Sequence, residues 1–92
     1  MTTDEAERIA IDVLAFLAGD EKRLHRFVAM TGIDMDRLRQ AAREPAFLAG
    51  VLAHVAGDER TLIDFAAASG HSPDAAAAAL RALGGHQMEG TA

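Results

Sequence analysis

The segment Val13-Leu14-Ala15-Phe16-Leu17-Ala18-Gly19-Asp20-Glu21 returns 38 positions later as Val51-Leu52-Ala53-His54-Val55-Ala56-Gly57-Asp58-Glu59. Leu24 with Leu62, Phe27 with Phe65, Ala29 with Ala67 and Gly32 with Gly70 extend the match to eleven identities over positions 13–32. Self-similarity at a fixed period marks a supersecondary unit that buries its apolar face against its copy. Two copies are too few for an open array, so the expected fold closes on itself as a compact, pseudo-twofold bundle. With 92 residues there is room for one domain. The expected domain covers residues 1–83, with repeat units over about 4–43 and 45–83 and a disordered tail over 84–92.

Composition sets the class of that bundle. Alanine occurs 21 times and β-branched residues are few, which favours an all-α fold over any sheet. Each unit reads as three helices, five to six in all. The first runs from about Thr3 to Ala18, capped by Thr3 or Asp4, and ends at Gly19, which can take the left-handed cap conformation. Asp20 caps a second helix that places Leu24, Phe27, Val28 and Thr31 on one face and Lys22, Arg23, His25 and Arg26 on the other, and stops at Thr31-Gly32. A third starts at Asp34, buries Met35, Leu38, Ala41 and Ala42, and ends before Pro45. In the second unit Pro45 opens a helix through Ala56, Gly57-Asp58 restart the chain, Ser69-Gly70 break it, and Ser72-Pro73 open a last helix to about Leu83.

The two equivalent first helices point apolar side chains in nearly every direction: Ile9, Ile11, Val13, Leu14, Phe16 and Leu17 in one, Phe47, Leu48, Val51, Leu52 and Val55 in the other. A helix apolar all round is buried all round. Either these two form the centre of the bundle, which the repeat favours by supplying the partner, or part of their surface meets another chain. The alanine tract Ala75–Ala79 reads in the same two ways, as tight internal packing or as a surface for a partner.

Catalytic patterns are missing. The sequence holds no glycine-rich phosphate loop and no dinucleotide fingerprint. Without cysteine it has no thiolate nucleophile, thiolate metal site or disulfide. His25, His54, His71 and His86 share no i, i+4 spacing, so no metal motif is present. His54 stands where the first unit has Phe16, and is read as a packed, buried polar position with a weaker alternative as a ligand or proton-sensing group. The paired Gly-Asp-Glu turns are explained as helix stop, N-cap and dipole complement. Ser69 and Ser72 sit at turn or cap positions, with no His and acid pair evident to activate them. The expectation is a protein that is not an enzyme and takes no cofactor or metal.

Nucleic acid has one local argument. Leu24 to Arg43 has the layout of a helix-turn-helix, with Arg37, Arg39, Gln40 and Arg43 exposed on its second helix. The formal charge of −5 opposes it, and Asp20 to Glu44 carries six basic and five acidic residues, a balance of only +1. Lys22, Arg23, Arg26, Arg37, Arg39 and Arg43 form the candidate surface for a nucleic acid or another partner. The start Thr2-Thr3-Asp4-Glu5 lacks the basic-then-apolar order of a signal peptide, and no apolar run spans a bilayer, so a cytoplasmic protein without a membrane partner is expected.

Phe16 to Glu21, Phe27 through Thr31-Gly32-Ile33, Glu44-Pro45-Ala46-Phe47-Leu48-Ala49-Gly50-Val51-Leu52, and Gly57-Asp58-Glu59 with Phe65 carry a further resemblance. From about Ala6 to Leu83 the chain resembles domain-of-unknown-function family 3572, small bacterial proteins. The resemblance implies a compact helical cytoplasmic protein and transfers no catalytic residue. It also implies, by association with signalling genes, a signalling component as partner. The resulting reading is a non-catalytic binding or regulatory module acting through protein–protein contacts at an apolar groove or face. A second copy of the chain is a further candidate partner, and the alternative is a DNA-binding regulator using the 24–43 helical pair.

Overall fold

In a computed structural model the chain folds into six α-helices, with no strand among the described residues. The description covers the backbone of residues 1–91 and the side chains of residues 1–84. The helices are α1 (Thr3–Ala18), α2 (Glu21–Thr31), α3 (Leu38–Ala41), α4 (Pro45–Ala56), α5 (Glu59–Ser69) and α6 (Pro73–Thr91), with a single 3₁₀ turn, Met35–Arg37, ahead of α3.

Local chemistry explains most boundaries. Asp20 caps α2 by accepting the amides of Lys22 and Arg23 at 2.9 and 3.3 Å, and Asp58 caps α5 by accepting that of Thr61 at 3.4 Å. Both helices stop at a glycine with positive φ, Gly32 at 71° and Gly70 at 83°. The hydroxyls of Thr31 and Ser69 finish these ends alike, donating to the carbonyls of Phe27 and Phe65 at 2.8 and 2.7 Å. At α1 the cap lies one residue earlier than expected, with Thr2 Oγ1 accepting the Glu5 amide at 3.1 Å. Gly19 and Gly57 stay right-handed, at φ −76° and −81°, because the next cap follows at once and their N–H groups still reach Ala15 and Ala53.

The core is a three-helix layer of α1, α4 and α6, which make the most extensive contacts with one another. Val13 and Leu17 of α1, Leu48, Val51, Leu52 and Val55 of α4, and Ala76, Ala79 and Leu83 of α6 are buried. The alanine tract therefore faces inward, where side chains this small let α6 approach both partners closely. α1 is not covered all round, since Ile11 remains exposed. From outside, α2 and α5 close the layer, each inserting one fully buried phenylalanine, Phe27 and Phe65.

Two boundaries differ from expectation. The third helix of the first half shrinks to the 3₁₀ turn and the four residues of α3, leaving Met35 exposed and Leu38, Ala41 and Ala42 half-buried. Between the Asp34 cap and Pro45 there is too little apolar surface to pack a longer helix. At the other end the helical backbone passes Leu83 and continues across Gly84 and Gly85 to Thr91. The tail expected over 84–92 otherwise lies outside the described residues.

Candidate functional site

The six basic residues singled out in the sequence fall into two separate places. Lys22, Arg23 and Arg26 lie on α2 around a polar cleft of about 350 Å³, shared with Asp20, Asp58, Arg60, Thr61 and Asp64. Arg37, Arg39 and Arg43 are exposed on and beside α3, in no ion pair among the described residues. α3 offers about one turn, roughly 6 Å of helix. The helix-turn-helix layout expected for residues 24–43 therefore lacks a second helix long enough to enter a major groove.

In the polar cleft the arginines are occupied by the fold itself. The Arg23 guanidinium donates to Asp20 at 3.2 Å and across to Asp64 of α5 at 2.6 Å, while lying 4.7 Å over the Phe16 ring. Arg26 reaches Asp58 at 3.6 Å. The Thr61 hydroxyl donates to Asp58 at 3.0 Å, and that bond, with the Thr61 amide, holds the Asp58 carboxyl below its ordinary pKa. Four cations and three carboxylates line the cleft, with Arg23 and Arg26 turned onto the carboxylates, so it acts as a clasp between α2 and α5.

A second cleft, about 420 Å³, lies between α1 and α5, lined by Asp12, Ala15, Phe16, Ala68 and Ser69. Phe16 meets Phe65 edge-on at 5.6 Å between ring centroids. His71 stacks on Phe65 and brings its Nε2 within 2.9 Å of Asp12. This His and acid pair, 59 residues apart in the chain, was not visible in the sequence. Spacing carries no signal for it. Ser69 cannot join it as a nucleophile, because its hydroxyl donates to the Phe65 carbonyl and accepts the His71 amide.

A third cleft, about 510 Å³, lies between α2 and α4. Arg26 and Met30, one turn apart, form the α2 wall, and Ala53, His54 and Gly57 form the α4 wall. Asp58 and Glu59 close one end. His54 is half-buried here, not enclosed in the core as a buried polar position would be. Its ring lies edge-on to Phe27 at 5.1 Å, and burial depresses its pKa against the pull of Asp58, with Arg26 adding to the depression. The imidazole therefore stays neutral near pH 7. Met30, 70% exposed, stands at the mouth. Ala53 and Gly57 carry so little side chain that the α4 wall recedes into a groove; a Cβ on Gly57 would sit 3.1 Å from the Ala53 carbonyl.

Among the described residues no group of three or more His, Asp or Glu lies close enough to hold a metal ion, and no helix is long and apolar enough to cross a membrane. Over residues 3–86 the chain matches the model of a family described as "protein of unknown function (DUF3572)". No curated protein and no solved structure matches the chain.

Proposed function

The chain belongs to the DUF3572 family of proteins of unknown function, and we propose that it works as a non-catalytic binding module whose contact surface for another protein is the groove between α2 and α4. One observation carries this reading: Met30, the most exposed large hydrophobic side chain among the described residues, stands beside an open groove walled on its α4 side by Ala53 and Gly57. A flexible thioether held in water beside a recess adapts to an incoming apolar side chain, as surfaces that bind helices do. Helix-in-groove docking needs such a recess and little chemistry besides. Cytoplasmic location and regulation of a signalling component remain parts of the same proposal.

The test is capture of the tagged protein from its own cells after nuclease treatment, in parallel with Met30→Glu. A stoichiometric protein partner retained by the wild type and lost from the variant is the expected outcome. Capture that collapses with nuclease, or that the variant leaves unchanged, overturns the reading. Met30 is exposed, so the variant keeps its fold, which circular dichroism checks.

A further inference from the structure

We infer that the α2–α4 groove takes a basic amphipathic helix: a large apolar side chain seated over Ala53 and Gly57 against Met30, with a Lys or Arg one turn away on Asp58 and Glu59. The inference deepens the binding reading above and rests on it.

The charge at the closed end of the groove carries it. Asp58 and Glu59 stand there together. α4 ends at the same place, at Ala56 with Gly57 as its cap, and α5 begins there with Asp58 as its N-cap, so the negative end of one helix meets the positive end of the next and the side chains set the local charge. The one basic residue in the last turn of α4 is His54, whose pKa is lowered by burial and which adds no charge near pH 7. Against the two carboxylates the described lining of the groove holds a single cation, Arg26, 67% exposed and 3.6 Å from Asp58, a loose pair in water. An incoming cation therefore meets a net negative end, and the chain's overall charge of −5 steers it inward.

The walls select the rest. Ala53 and Gly57 are four residues apart on α4, as Arg26 and Met30 are on α2, so both walls repeat at one helical turn. A helix laid between them presents side chains at the same interval, about 5–6 Å, which puts an apolar anchor and a basic neighbour at the floor and the acidic end. The α1–α5 cleft offers a single carboxylate, Asp12, paired with His71, whereas the α2–α4 groove has beside Asp58 a second carboxylate, Glu59, in no ion pair among the described residues.

The probe is a synthetic peptide of roughly 16 residues, long enough to hold a helix, with leucines on one face and lysines on the other. A second peptide carries glutamate in place of lysine. Each is titrated into the intact chain and followed by amide chemical shifts and fluorescence anisotropy. The Leu/Lys peptide is expected to move the amides of Arg26, Met30, Ala53, His54 and Glu59. Met30→Ala is expected to weaken it at least about tenfold, and Glu59→Lys about threefold with a shallower salt dependence. Asp4→Lys, the same charge change on an exposed residue of α1, keeps the affinity. If Asp4→Lys weakens binding as much as Glu59→Lys, the attraction is general and the inference falls. Occupation of the groove by the Leu/Glu peptide instead overturns the basic assignment and leaves the binding reading standing. If neither peptide moves these amides, both fall.

Discussion

The α1–α5 cleft and the α4–α2 cleft are lined by residues 38 positions apart: Ala15 and Phe16 in the first answer to Ala53 and His54 in the second, and Ala68 to Met30. Each rests on a buried phenylalanine of the outer helix, Phe65 or Phe27, met edge-on by the ring above. The rims differ. In the first, Arg23 lies over Phe16, and His71 ties Asp12 to the turn before α6. In the second, Gly50 stands where the first has Asp12, an imidazole replaces the phenyl ring, and a methionine projects into water. Two floors alike and two rims unlike teach that one rim is tied by side-chain contacts across it, while the other has a methionine projecting into water in their place.

That contrast can be broken at its floor first, where the effect is largest. Phe27→Ala and Phe65→Ala each remove a fully buried ring with two ring neighbours, so each should cost about 3–5 kcal/mol in urea unfolding. A difference between them well beyond ~1 kcal/mol would end the parity of the floors.

Gly50→Ala probes the rim. Gly50 lies within α4, and a Cβ there meets nothing within 4 Å. Alanine should raise stability by roughly 0.5–1 kcal/mol, seen as a higher Tm, because the unfolded chain loses freedom and no contact is disturbed. A loss instead would mean that the α4 rim is packed against something.

The smallest effect sharpens the comparison most. His54→Phe copies Phe16 onto the second rim. Burial holds the His54 pKa below its ordinary 6.5, so below that value the unfolded chain binds the proton more readily than the folded one. His54 therefore withdraws stability as pH falls from 6.5 toward its lower folded pKa. The stability difference between His54→Phe and wild type should grow in favour of the variant from pH 7 to 5. A pH-independent difference would show that the imidazole is not desolvated by the groove.

What the sequence made legible was local. Asp20 and Asp58 as caps, and Gly32 and Gly70 as stops, follow from side-chain and backbone chemistry within four residues, and the structure places them as read. The packing of α1 against α4 followed from helices with apolar residues on every side. α3 failed for the opposite reason: helical spacing at Met35, Leu38 and Ala41 implied a buried face, but nothing in spacing reports whether another helix is there to cover it. The candidate basic residues divide between two elements, three on α2 and three on and beside α3, a division that spacing along the chain does not report. The bonds from Arg23 to Asp64 and from His71 to Asp12 span 41 and 59 residues, and only tertiary structure creates them.

The place of α6 in the central layer sets the timetable of folding during synthesis. α1, made well before α6, packs on it, with Ala6 and Ala76 belonging to one core. At ~5–20 residues per second, roughly 4–14 seconds pass between the making of those two residues. Throughout that interval the core around Val13 and Leu17 lacks one of its three helices, and its apolar surface stays open to water until α6 arrives.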